Sequence, residues 1–167
     1  MNIFFIDRDV KICAQYHNNK HIVKMILEYG QLLSTSHHVL DGDSAIQPIY
    51  KSTHKNHPSA IWTRASAAHY EYLHKLLLAL CEEYTYRYDK IHKVQRDGLA
   101  DRLSILPKNI PKLGWLSDPT PAMPDEYKTN DAIESYRKYY NGAKQHIAEW
   151  KKREIPSWFI IKEIYES

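Results

Sequence analysis

Cysteine and glycine are the scarce residues of this chain, two and five respectively among 167. Two thiols, Cys13 and Cys81, cannot build a disulfide framework or a Cys₄ zinc site, so an intracellular (cytoplasmic) protein with reduced thiols is expected. The glycines form neither G-x-G-x-x-G nor a Walker A loop, and H-E-x-x-H and G-x-S-x-G are missing too. No apolar run approaches the roughly 20 residues of a membrane span, which excludes a membrane partner of that kind. The first residues, Met1-Asn2-Ile3-Phe4-Phe5-Ile6-Asp7-Arg8, lack the basic start and apolar core of a signal peptide. Charge of one sign is missing as well: 23 Lys and Arg against 20 Asp and Glu leave +3, which by itself does not argue for a nucleic-acid partner.

Apolar residues make up 43% of the chain and charged ones 26%, enough for a real core in one soluble domain over 1–167. The excess is in 13 Tyr, 10 His and 4 Trp. Rings with a polar tip suit wet surfaces that grip something planar. Histidine suits acid–base work or contact with phosphate or metal. The pattern predicts a mainly α domain of about three long helices with long polar and Pro-rich loops. Residues 2–6 read as a short strand or an extended arm, and Asp9 as a helix cap. A helix is predicted over 12–36 from Ile22, Met25, Ile26, Tyr29, Leu32 and Leu33. A polar loop over 37–58 precedes a long helix over 59–89 and a shorter one over 94–105. Five prolines within 107–124 forbid regular structure, although Trp115 argues for a packed loop there. The last helix is expected over 130–153, with the apolar tail Ile155–Ile161 folded back on the body.

Three segments carry residues suited to chemistry. His17, His21, Lys24, Glu28 and Gln31 are spaced by four, three, four and three, so one helix would align all five. Such a stripe is equally well an ordinary wet face, but its residues donate, accept or titrate, and a carboxylate beside Lys and His can hold an unusual protonation state. In Tyr50–Pro58, Lys51, His54 and His57 lead into a helix N-terminus, which with Arg64 forms a candidate phosphate site. The competing reading is a helix-entry turn at His57-Pro58. In Tyr136–Lys144, Arg137, Lys138, Tyr139 and Tyr140 interleave cations with rings that could stack on bases, or could be a core helix with charges outside. His17 and His21 have the i,i+4 spacing of two metal ligands, but no third ligand is fixed, so neither a metal nor another cofactor is assigned.

On these residues the chain resembles the pyrimidine-dimer DNA glycosylases of the phage endonuclease V type and their bacterial relatives. Gln15–Glu28 resembles that family's first helix, in which a His precedes the catalytic Glu by seven residues, as His21 precedes Glu28. Tyr50-Lys51, Asn56-His57-Pro58, Tyr72-Leu73 and Glu83–Ile91 are similar to the bacterial branch's turn and long helix, and Tyr136–Lys144 to the phage enzyme's aromatic-basic element. The resemblance implies a compact helical domain and a DNA glycosylase with lyase activity on damaged or modified pyrimidines. In that chemistry the N-terminal α-amine attacks C1′ and a carboxylate assists ring opening and β-elimination. An α-amine, unlike Lys, is partly neutral at pH 7. It casts Met1, Glu28 and His21 as catalytic, and Lys24, His17, Gln31 and the basic and aromatic residues above as holding DNA. Asn2 is not the small residue that permits Met removal, so Met1 is expected to stay. Leu27 and Gln31 stand where the phage enzyme has two arginines, leaving Lys20, Lys24 and His21 to take the phosphates. Two further readings remain: an N-glycosidase acting on free or modified nucleotides, and a non-catalytic module binding nucleic acid or protein. Oligomeric state is not legible.

Overall fold

The computed structural model describes residues 1–162, and among these the regular structure is entirely helical. The chain starts as an extended arm, with Ile3, Phe4, Phe5 and Ile6 all buried. Side chains rather than a β-ladder satisfy its backbone. Phe4 N–H donates to the Tyr29 hydroxyl at 2.9 Å, Cys13 Sγ donates to Phe4 O at 3.1 Å, and Arg137 Nε donates to Ile6 O at 2.9 Å.

The helix predicted over 12–36 is two helices, α1 (Val10–Tyr16) and α2 (Asn19–Asp41). Asp9 caps α1. At His17 the chain turns extended, with ψ 129°, and the Asn18 side chain accepts from His21 N–H at 2.8 Å to start α2 afresh. Helix α2 continues to Gly42, whose φ of +53° ends it, so the polar loop is shorter than expected. The helix predicted over 59–89 is also split, into α3 (Pro58–Arg64) and α4 (Ala67–Tyr88), because Ser66 Oγ accepts from His69 N–H at 3.1 Å. Residues 94–105 form only two single turns, α5 (Lys93–Arg96) and α6 (Leu99–Arg102), around Gly98 at φ +83°.

The last helix, α7 (Ala132–Ala143), stops well short of the predicted 153. Beyond it the chain is drawn to the α1–α2 corner, where Trp150 Nε1 donates to Tyr16 O and Asn19 N–H to Glu149 O, both at 2.8 Å. A straight continuation of α7 would forgo these contacts. In the tail Pro156 and Phe159 are buried while Ile155, Ile160 and Ile161 are exposed, so the fold-back is partial. Trp115 is 40% exposed despite lying within 5.3 Å, ring to ring, of Trp62, His69 and Tyr72. Its loop is therefore less packed than the sequence suggests.

Helix α2 packs on α3 and α4, and α1 packs on α4. Ile22, Met25, Ile26, Tyr29, Leu32 and Leu33 of α2 join Leu73, Leu76, Leu77 and Leu80 of α4 in one buried cluster that also takes in the arm and α7. Each such side chain contributes about 1.5–3 kcal/mol by leaving water. A buried clasp closes the far side: Glu83 accepts from Arg87 Nε at 3.0 Å and from Arg153 Nη2 at 2.7 Å. Arg87 also donates to Asn19 Oδ1 at 3.1 Å and Gln15 O at 2.8 Å. Burial alone would raise the Glu83 carboxyl, but the two arginines outweigh it and hold it below the usual range.

Candidate active site

The arm and α2 bring the two ends of one potential reaction together. The Met1 α-amine lies 4.0 Å from Glu28 Oε1, and Lys24 Nζ, one turn back on α2, lies 3.9 Å from Oε2. The carboxylate therefore sits between two amines at ion-pair rather than hydrogen-bond distance. Glu28 is 14% exposed and Lys24 68% exposed. No protein group hydrogen-bonds to Oε2, although that atom is buried. The amine is located by the arm behind it: Phe4 is pinned by Tyr29, and Asn2 Oδ1 accepts from the Tyr136 hydroxyl at 3.2 Å.

The loop before α3 flanks this pair. Thr53 N–H donates to Thr35 Oγ1 at 3.1 Å, which lays the loop along α2 one turn beyond Gln31. Gln31 itself is half-buried. His57 is held below its ordinary range, first by burial, then by the positive charges of the α-amine and of His54. Its Nδ1 accepts from Ser59 N–H at 3.0 Å, which puts the proton of the neutral ring on Nε2. His57 thus serves as the cap of α3, the helix-entry reading, and presents a donor rather than a base. His54, at φ +48°, and Lys51 are exposed. Arg64 donates to Lys55 O at 2.6 Å and braces the loop.

The structure places His17 and His21 in the core. His17 is fully buried: its Nδ1–H donates to Cys13 O at 2.7 Å, and its Nε2 accepts from the Tyr29 hydroxyl at 2.9 Å, which itself accepts from Phe4. Burial lowers its pKa to about 4. His21 is 6% exposed, stacks on Phe4 at 4.2 Å between centroids, and meets the Tyr140 hydroxyl through Nδ1 at 2.6 Å. That hydroxyl also accepts from Asn18 N–H at 3.4 Å. Burial first, then the charges of His17, Lys144 and Lys24, take the His21 pKa down to about 2.

Helix α7 is divided in the same way. Tyr136 and Tyr140 are wholly buried. Arg137 is spent on the arm, donating to Ile6 O and, at 3.0 Å, to Asp7. Lys138 is exposed and Tyr139 half-buried. Residues that sequence reasoning did not single out include Tyr29, which fixes the arm, and the Glu83–Arg87–Arg153 clasp. Their roles depend on partners 25 and 70 positions away, which no local pattern signals. Among the described residues no group of three or more His, Cys, Asp or Glu is arranged to hold a metal.

An all-helical body that delivers its own α-amine to a half-buried carboxylate defines an amine-and-carboxylate class of site. A model of the pyrimidine dimer DNA glycosylases matches residues 1–96, which span the arm, α1 to α5, Met1 and Glu28. The match covers more than half of the chain, and the protein belongs to that family of DNA glycosylases. No curated protein and no solved structure gives a significant match.

Proposed function

We propose that the protein is a DNA N-glycosylase with lyase activity on damaged or modified pyrimidines, using the Met1 α-amine as nucleophile and Glu28 as its carboxylate. The observation that carries this reading is the 4.0 Å approach of the amine to Glu28 Oε1, with Oε2 buried and free of protein donors. In the first step the amine lone pair bonds to C1′ and the base leaves with the glycosidic electron pair. The amine sheds a proton, the sugar ring opens with O4′ taking a proton, and an imine results. Removal of a C2′ proton then expels the 3′ phosphate. Glu28 is placed to take and return these protons and to stabilise the cationic imine. Lys24, Lys51 and His54 are proposed phosphate contacts, with Gln31 and the His57 Nε2–H as hydrogen-bond partners of the nucleotide. The workplace is the cell interior, where DNA and reduced thiols coexist.

Borohydride reduction in the presence of dimer-containing duplex tests this directly. A covalent adduct carried by the N-terminal peptide is expected, and Glu28→Gln should lower adduct and strand cleavage at least a hundredfold, the scale of removing a positioned acid–base group. Absence of an adduct, together with cleavage unchanged in Glu28→Gln, would overturn the mechanism. A second reading, N-glycosidic cleavage of free or modified nucleotides, is favoured by the exposed apolar Leu27 and neutral Gln31 beside Glu28. It predicts base release from mononucleotides and duplex binding with little salt dependence. If neither reaction occurs, the protein is a binding module.

A further inference from the structure

The Glu28 carboxylate has an amine beside each oxygen. The Met1 α-amine lies 4.0 Å from Oε1, and Lys24 Nζ lies 3.9 Å from Oε2. Exposure rises along this line: the Met1 side chain is 6% exposed, Glu28 14% and Lys24 68%. Oε2 is buried and takes no hydrogen bond from the protein, so its ion pair with Lys24 is its link to water. The i,i+4 spacing on α2 keeps the two side chains on one face. The proposed reaction leaves a proton too many at one end of this line and one too few at the other. The amine becomes cationic when it bonds to C1′ and must shed a proton. The pyrimidine that leaves with the glycosidic electron pair must gain one. Of the neighbours, Gln31 has no proton to exchange. His57 accepts from Ser59 N–H at Nδ1, so its one ring proton is on Nε2, and losing it would leave an anion. An ammonium that gives up a proton becomes neutral.

We propose that Lys24 is the general acid of glycosidic cleavage, protonating the departing pyrimidine and taking its own proton back from Glu28. The inference rests on the Met1–Glu28 reaction, in which Lys24 otherwise serves only as a contact to phosphate. The bond from the Met1 nitrogen to C1′ forms as the C1′–N1 bond breaks. The electron pair left on the base is neutralised at O2 by a proton from Lys24 Nζ. Glu28 takes the proton that the new Met1 ammonium sheds and hands it on to the neutral Nζ. Lys24 and Glu28 thus end as they began, and no proton from outside is consumed. The four-carbon stem of a lysine is flexible, so Nζ swings between Oε2 and the base without moving α2.

The test compares two duplexes in single-turnover borohydride trapping with the full chain. One carries a pyrimidine dimer, from which a base must leave; the other carries an abasic site, from which none leaves. Lys24→Arg keeps the positive charge and the phosphate contact, but a guanidinium does not give up its proton. It should slow adduct formation on the dimer duplex about a hundredfold or more, the scale of a lost general acid, and leave the rate on the abasic duplex at the wild-type level. Its duplex affinity and salt slope should match the wild type. Lys24→Ala should lose the dimer reaction too and recover part of it with added ethylamine, whereas Lys24→Arg should not recover. A wild-type dimer rate in Lys24→Arg would overturn the acid role and leave Lys24 a phosphate contact. Equal loss on both duplexes would overturn it as well, making Lys24 a residue that positions Glu28. A wild type that forms no adduct even on the abasic duplex would overturn the Met1–Glu28 reading and this inference with it.

Discussion

Two buried histidines are kept neutral by burial. His17 accepts a hydrogen bond from the Tyr29 hydroxyl at Nε2 and donates one from Nδ1–H to Cys13 O, the pattern of a neutral ring. His21 is hydrogen-bonded through Nδ1 to the Tyr140 hydroxyl and stacks on Phe4. Their pKa values, about 4 and about 2, lie below the ordinary 6.5 because burial penalises the cation. The unfolded chain therefore binds more protons than the folded one once the pH falls below about 6.5. Stability should fall on acidification from 6.5 towards 4; His17 and His21 account for close to two of the protons taken up on unfolding near pH 5, and His57, His37, His69 and His92, lowered by burial as well, add to them. Urea unfolding across that range measures it, and His17→Gln with His21→Gln should flatten the slope. The spacing of His17, His21, Lys24 and Glu28 was legible in the sequence, but it is shared by a core edge and a site edge. Only the break at Asn18 and the approach of Phe4 separate them.

At the scale of elements, the arm decides where the nucleophile sits. Tyr29 reads in sequence as one more core ring of α2, and its ring is indeed buried. What periodicity does not convey is its hydroxyl, which joins Phe4 N–H to His17 Nε2. Tyr29→Phe keeps the ring and leaves the Phe4 amide without its acceptor. A cost of about 1–3 kcal/mol is expected, the penalty of a buried donor left unpaired. Hydrogen exchange at Phe4 should accelerate, and borohydride adduct should fall while oligonucleotide affinity stays. Unchanged adduct would show that Tyr29 does not position the amine. The helix content was legible because apolar spacing persists through α1–α2 and α3–α4, whereas the breaks were not. Asn18 and Ser66 are short polar residues inside an apolar rhythm, and only their capping bonds to His21 and His69 reveal new N-termini.

At the scale of the molecule, the family-matched part holds Met1 and Glu28, but residues beyond it hold the arm and close the body. Tyr136 and Arg137 of α7 hydrogen-bond the arm, Tyr140 packs its ring against Phe4, and Arg153 completes the clasp on Glu83. Within the clasp the two arginines are unequal. Arg87 is fully buried and satisfies Asn19 and Gln15 as well as Glu83, whereas Arg153 is 30% exposed. Removing the buried member leaves Gln15 O without this donor and Glu83 held by Arg153 alone in a water-poor site, a loss of about 3–5 kcal/mol. Removing the outer member lets water replace it and should cost about 1 kcal/mol or less. Arg87→Met should therefore lower the urea midpoint strongly and Arg153→Met only slightly. The depressed Glu83 carboxyl adds a sign that separates a charge effect from a packing effect. Its contribution is present above the ordinary carboxylate range and is lost as the pH falls through its lowered folded value. The gap between wild type and Arg87→Met should accordingly narrow in strong acid; a gap independent of pH would make Arg87 a filler of space rather than a partner of charge.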